Sequence, residues 1–381
     1  MRTGADIIFW SAVAVLCYTN AGYPLLLWAW ARCRPRLERC QRCLPRITVL
    51  VVANNEAVNV RHRLENLLAQ DYPRDRLEII FASDGSDDAT LEQALGFRRA
   101  GVVVVSFGER RGKSAVLNDL VPQADGEIVV LADARQRFER GALRALAAHF
   151  SDPAVGAVSG ELILEERGGP AVGEGIGFYW KYEKFIRRSE SAVDSTVGVT
   201  GAIYALRREL FEPIPLDTIL DDVLIPMTIV RRGYRVVFES AALAYDHIAS
   251  TANAEFARKV RTLAGNFQLF ARQGWLLNPF VNRLWLQTIS HKGCRLLGPL
   301  CLVGALGSNA FLLGEPLYRL SLAAQLALYL AAAGGWYLRN SDTKIRLCNL
   351  AYAFLLLNWA AAVGFARYVS GTQRVTWAKA E

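Results

Sequence analysis

Apolar and polar positions fall into two rhythms along the chain. Ile7 to Ala31, Leu296 to Gly314, Leu320 to Leu338 and Leu347 to Ala366 contain no Asp, Glu, Lys or Arg, and each run has 19 or more residues. At about 1.5 Å of helical rise per residue, such a run covers a hydrocarbon core of roughly 30 Å. Four candidate membrane spans follow. The first is too long for the apolar part of a cleaved signal peptide and is followed by arginines, so it is expected to stay as an anchor. The Gly- and Pro-containing run Leu296 to Gly314 is the one best suited to re-enter rather than cross.

Arg32 to Arg295 has the other rhythm, in which short apolar runs alternate with amphipathic stretches. ITVLVVA follows Arg46, then come an amphipathic segment at Val58 to Leu68, a Tyr72-Pro73 turn and a second run, LEIIFAS. The alternation continues with Val102 to Ser106, a helix at Lys113 to Val121, the run Glu127 to Ala132, a helix at Gly141 to Phe150 and the strand VGAVSG. Repeated strand-helix-strand units predict an α/β domain built on a parallel sheet with helices on both faces.

Composition agrees: 52% hydrophobic and 21% charged over 381 residues, with a mean hydropathy of +0.17, exclude a disordered or collagen-like chain and an ordinary soluble enzyme. The net charge of +8 needs no nucleic acid. Arg32, Arg34, Arg36, Arg39, Arg42 and Arg46 stand against the single acid Glu38 directly after the first span, a bias that predicts a cytoplasmic aqueous domain and contact with anionic membrane lipids. Three spans after that domain would put the C-terminus outside, against the tail charges Arg367, Arg374 and Lys379, so the side of the C-terminus stays open. Seven cysteines, at 17, 33, 40, 43, 294, 301 and 348, are scattered in a way that does not read as a disulfide framework. Cys40 and Cys43 form a CxxC without the second ligand pair of a zinc site.

In a parallel α/β sheet, ligands bind beyond the carboxyl ends of the strands. Carboxylates stand there: Asp84 in SDGSDDAT, Asp133 in DAR, and Asp221 and Asp222 at an expected helix start. Taken singly, Asp84 and Asp222 read as helix caps. Together they predict a phosphate- or sugar-binding cleft. By contrast, Gly173, Gly175 and Gly177 do not make a dinucleotide fingerprint. His62, His149, His247 and His291 are too dispersed for a metal site, and Asp246-His247 reads as a structural pair.

Asn55-Glu56, SDGS, GKSAVLN, DAR, TGAIYA before LDD, and the basic RKVRT segment, with apolar spans on both sides, resemble the family two glycosyltransferases of the GT-A fold. The likeness is to the membrane-embedded branch that includes cellulose, hyaluronan, chitin-oligosaccharide and poly-N-acetylglucosamine synthases. It implies a Rossmann-like, mostly parallel cytoplasmic GT-A domain at 47–272. An anchor at 1–31 and a basic segment at 32–46 would precede it; an interfacial segment at 273–295, up to three transmembrane helices at 296–369 and a tail at 370–381 would follow. The implied setting is the cell membrane, with the catalytic domain on the cytoplasmic side.

By the same resemblance Asn55, Glu56, Asp84, Lys113, Asp133, Arg135, Arg258 and Arg261 would bind the nucleotide-sugar donor, a UDP-sugar in the expected case. Asp222 would be the general base of an inverting transfer, and Gly201, Asp221, Thr262 and Trp180 would face the acceptor. Such a transfer needs one carboxylate to take the acceptor's proton and cations to stabilise the departing diphosphate.

The sequence departs from the family pattern twice. The usual Asp-x-Asp is Asp133-Ala134-Arg135, which leaves Asp133 as the sole metal candidate there and weakens the case for Mg2+ or Mn2+. The usual Gln-x-x-Arg-Trp is Arg258-Lys259-Val260-Arg261-Thr262, which lacks the aromatic that stacks on an acceptor sugar; Trp180 and Trp275 are candidate replacements. Three functions remain: synthesis of a β-linked polysaccharide, addition of one sugar to a membrane lipid as in ceramide glucosyltransferases, or a non-catalytic sugar-nucleotide-binding subunit of a synthase complex. Accessory subunits are compatible with the first and third.

Overall fold

The computed structural model of the chain describes residues 2–33, 43–165, 173–247, 252–341 and 345–374. Most of the basic segment expected at 32–46, including Cys40, and the tail beyond 374 lie outside the described residues.

Eight strands form one sheet: β1 (Ile47–Ala53), β2 (Leu77–Asp84), β3 (Val102–Phe107), β4 (Ile128–Ala132), β5 (Arg137–Phe138), β6 (Val155–Glu165), β7 (Ile203–Arg207) and β8 (Arg235–His247), in the order β3-β2-β1-β4-β7-β6-β8-β5. The first four are mutually parallel, with Ile47 in register with Leu77 on one side and Ile128 on the other. The parallel alternation expected to run on through VGAVSG stops there. β7 enters antiparallel beside β4, with Tyr204 opposite Leu131, and β6 pairs antiparallel with β7 and parallel with β8. Close approach makes this possible: a Cβ on Gly160 of β6 would lie 2.6 Å from the Ala242 carbonyl oxygen of β8.

The helices of this domain are α3 (Ala57–Leu68), α4 (Thr90–Leu95), α5 (Lys113–Leu120), α6 (Ala142–Ala148), α7 (Gly173–Val193), α8 (Asp221–Arg231) and α9 (Ala252–Arg272), with α1 (Arg2–Cys17) and α2 (Tyr23–Cys33) before them. Successive strand residues point to opposite faces. Val49 and Val51 pack with Leu64 and Leu67 of α3 and Leu143 and Leu146 of α6. Leu50 and Ile80 pack on the other face with Val116 and Leu117 of α5 and Leu224 and Ile225 of α8. Each such buried side chain contributes about 1.5–3 kcal/mol. Two apolar layers therefore hold the carboxyl ends of β1, β2 and β4 at one edge.

The chain continues through α10 (Trp285–Thr288), α11 (Cys294–Leu296), α12 (Gly298–Ala310), α13 (Pro316–Tyr337) and α14 (Arg346–Val369). Among the described residues Arg2–Cys33, Pro316–Tyr337 and Arg346–Val369 are long and apolar enough to cross a membrane. Ile7, Leu25, Leu320, Leu330 and Trp359 point outward from them, the reverse of a helix in water. Of the four apolar runs, Leu296 to Gly314 gives no long helix: α12 has 13 residues, about 20 Å, because Pro299 cannot continue the helix before it. Its Ala305 and Leu312 pack with Ala5, Phe9 and Ala12 of α1. α9 lies against α14, where a Cβ on Gly364 would come within 3.0 Å of the Ala264 nitrogen.

Candidate active site

Asp84 ends β2, Asp133 follows β4, Lys113 opens α5, and Asp221 and Asp222 open α8. Lys113 joins three of these elements. Its Nζ donates to Asp133 Oδ1 at 3.0 Å and pairs with Asp221 Oδ2 at 3.4 Å. Burial opposes the Lys113 charge, but Asp133, Asp221 and Asp222 outweigh it and hold the ammonium well above its ordinary value. The lysine therefore stays charged at any physiological pH.

Asp222 is next to that pair and is not a cap: the helix begins after Leu220, with no side-chain capping bond. Its carbonyl accepts from the Val199 amide at 2.8 Å. Gly201 faces its side chain, and a Cβ there would sit 3.3 Å from Asp222 Oδ2. Burial, then Asp221, raises the Asp222 carboxyl to about 6 against the pull of Lys292, Lys113 and Arg187. A carboxylate poised there is a competent base near neutral pH. Beneath it the Tyr204 hydroxyl is buried without a hydrogen-bond partner among the described residues. Burial, followed by Asp221, Asp222 and Asp133, pushes that hydroxyl well above its ordinary value, so it remains protonated.

Asp84 does act as a cap, for a helix elsewhere in the chain. Its Oδ1 accepts from the Arg111 amide at 2.7 Å and its Oδ2 from the Gly112 amide at 2.8 Å, at the start of α5. The side chain is 3% exposed. This carboxylate organises the 108–112 loop and delivers Lys113 to the acids. Gly85 turns the chain there at φ +60°, with no room for a Cβ against the Arg110 nitrogen 2.3 Å away. Asn55 and Glu56 sit in the turn after β1. The Asn55 amide donates to Ser86 Oγ, its side-chain oxygen accepts from the Asp87 amide at 2.9 Å, and Glu56 accepts from Asn59 at 2.6 Å. They tie two loops together at the cleft edge.

Arg135 is 35% exposed at its side chain and 3.8 Å from Asp246 Oδ2, which also accepts from Gln136 Nε2 at 2.8 Å. Below this turn is a residue the sequence reading missed. Arg63 of α3 is 2% exposed, donates to the Gln136 carbonyl at 2.8 Å and stacks on Phe138 at 4.0 Å. Burial lowers it to about 9, and Asp133 opposes that shift. Asn66 clamps both backbone groups of Phe138 at 2.8 Å. Lys113 and Arg63 thus place positive charge beside Asp133, while Arg135 is held by Asp246. Among the described residues no three His, Cys, Asp or Glu side chains converge on a metal position, and Asp133, one oxygen of which already holds Lys113, fits a divalent ion poorly.

The basic segment on α9 is less convergent. Arg258 pairs with Glu255 of its own helix at 3.7 Å, Arg261 is half-buried, and exposed Thr262 turns its hydroxyl back to the Arg258 carbonyl at 3.0 Å. Trp180 of α7 does meet this helix, with Lys259 Nζ 5.3 Å from its ring. Trp275 instead sits by Arg231, 5.2 Å from its guanidinium. Arg187 and Lys292, which act on Asp222, were not singled out in the sequence because only the fold brings α7 and residue 292 to α8.

Residues 48–214 match the family described as Glycosyl transferase family 2. The chain carries a family 2 glycosyltransferase domain. The match ends before Asp221, so the Asp222 helix and α9 lie beyond it. A poly-beta-1,6-N-acetyl-D-glucosamine synthase of Staphylococcus aureus is 25% identical over 231 residues, which is 59% of this chain and 56% of that protein. The chain thus matches little more than half the length of that relative. A mannosyltransferase of Pyrobaculum calidifontis, solved with GDP-mannose and Mn2+, is 25% identical and superposes with a TM-score of 0.71 over 95% of this chain and 99% of its own. That likeness extends to the helices on both sides of the domain.

Proposed function

We propose that this chain is a membrane-bound inverting glycosyltransferase, with the Asp222 carboxylate taking the proton of an acceptor hydroxyl as it attacks the anomeric carbon of a nucleotide-sugar. The observation that carries this is the single cation, Lys113, bridging Asp133 and Asp221 directly beside a carboxyl raised to about 6. Asp222 forms the bond to the proton, the acceptor oxygen forms the bond to carbon, and the nucleoside diphosphate leaves with the electron pair. Base assistance of this kind is worth about 10² to 10⁴ in rate. Lys113 and Arg135 supply positive charge for the diphosphate where a second aspartate would otherwise help hold a metal. The cation already on Asp133 reduces the need for a divalent ion there.

Asn55, Glu56 and Asp84 shape the donor side through their loops, and Arg258 and Arg261 extend its positive field. Gly201, Asp221 and Trp180 border the acceptor side. The acceptor we favour is a growing β-linked polysaccharide, in line with the named synthase relative, with a UDP-sugar as donor and the catalytic domain on the cytoplasmic side of the cell membrane. Thr262 supports a second reading, transfer of one sugar to a membrane lipid, because it offers no stacking surface. Nucleotide release by the purified protein in lipid, over UDP- and GDP-sugars with sizing of the product, separates the two. A long product supports the first and a singly glycosylated lipid the second; no release with any donor would refute both.

A further inference from the structure

A buried ionic network lies outside the acid cluster, where the membrane helices meet the catalytic domain. Two π-helical turns meet there, Tyr18–Gly22 inside the apolar helix Arg2–Cys33 and Ile289–Gly293 in the segment between α10 and α11 that joins the domain to α12. Such turns recur at functional positions. The two touch: Tyr18 Oη and Ser290 Oγ are 2.7 Å apart. The second turn carries His291, fully buried between two carboxylates of α7, with Nδ1 2.8 Å from Glu190 Oε1 and Nε2 3.1 Å from Glu183 Oε2. Arg295 also pairs with Glu183. Tyr23, the first residue of α2, donates its hydroxyl to Glu190 Oε1 at 2.7 Å.

Glu190 faces two ways. Oε1 receives Tyr23 and His291, and Oε2 accepts from the Val197 amide at 3.1 Å. Val197 opens the loop that seats Asp222. Two residues on, the Val199 amide donates to the Asp222 carbonyl; Gly198, at φ +87°, packs on Asp222 and Val223, and Gly201 faces the Asp222 carboxyl. A packing-only role would be met by an apolar side chain at less cost, since a buried carboxylate is favourable only when its partners are in place.

We propose that Glu190 is a positioning residue for the transfer: it couples the π-turn of the first membrane helix, and the π-turn of the 285–296 segment packed on it, to the 197–201 loop and so sets where Asp222 stands against the acceptor. The inference rests on Asp222 being the base. It predicts that disturbing Glu190 from the membrane side alone lowers turnover without changing donor binding.

The test is the full chain in lipid, as wild type, Tyr23→Phe, Glu190→Gln and Asp222→Asn, measured for kcat and for donor Kd. Tyr23→Phe removes one hydroxyl of a membrane helix and keeps its shape, so it reads the coupling even where Glu190→Gln folds poorly. The expected result is a loss of kcat of several-fold in Tyr23→Phe and about tenfold in Glu190→Gln, with donor Kd unchanged. Wild-type kcat in Tyr23→Phe, or a parallel loss of kcat and donor affinity, overturns the proposal. Asp222→Asn separates the two failures: if it is inactive while Tyr23→Phe is unaffected, the base stands and the coupling falls, and if it turns over normally the base assignment itself is wrong.

Discussion

Replacing Lys113 with methionine tests the electrostatics of the site most sharply. The ammonium holds Asp133 at 3.0 Å and Asp221 at 3.4 Å, with side chains 12% to 16% exposed. Removing one partner from a buried pair leaves an uncompensated charge and costs about 3–5 kcal/mol. Lys113 titrates above its ordinary value, so its stabilisation is fully present at neutral pH and would be lost only in strong alkali. The variant should therefore be destabilised at pH 7. Asp222 should move in the opposite sense to stability. Lys113 is one of the cations lowering its carboxyl from a still higher value. A charge within about 10 Å at an effective dielectric near 20 contributes at least roughly 1.7 kcal/mol, a little over one pKa unit. The acid limb of kcat/KM, expected at about pH 6 in the wild type, should rise to near pH 7 in Lys113→Met. Thermal unfolding and the pH profile read the two effects separately. An acid limb that stays at 6, in a folded variant, would refute the reading of Lys113 as one of the cations that tune the base.

Two further outcomes follow from the geometry. Arg135→Asp recreates a two-carboxylate turn and should increase dependence on Mg2+ or Mn2+, measured as loss of transfer with chelator; equal chelator sensitivity in both proteins would contradict a charge-replacing role for Arg135. Gly85→Ala forces a Cβ against the Arg110 nitrogen at a left-handed φ and should cost more than about 1 kcal/mol, read by thermal unfolding, with a larger loss of donor affinity because the 108–112 loop carries Lys113.

The parallel half of the sheet was legible because strands buried on both faces are written as short apolar runs, and Asp84, Asp133 and Asp222 fall at their ends or at a helix start. What each acid does was not. Asp84 and Asp222 carry the same local signature, an acid before a helix, yet Asp84 binds the amides at 111 and 112 while Asp222 binds none with its side chain. Only long-range packing separates them. The same holds for β7: nothing in IYALR says that it enters antiparallel between two strands already counted. Arg63 looks like one more charge on an amphipathic helix, but the Gln136 carbonyl and Phe138 ring that justify its burial are more than seventy residues away. His291 was set aside as dispersed, and its partners lie about a hundred residues back along the chain. The Gly and Pro of the 296–314 run already marked it as the exception among the four apolar runs, and Pro299 sits at the start of its short helix.

The central claim is that Asp222 removes the acceptor's proton. Its most direct test is transfer by Asp222→Asn with donor binding measured alongside. The account predicts a fall in kcat of at least about 10² with donor Kd unchanged. Turnover near the wild-type rate in a protein that binds donor normally would contradict it.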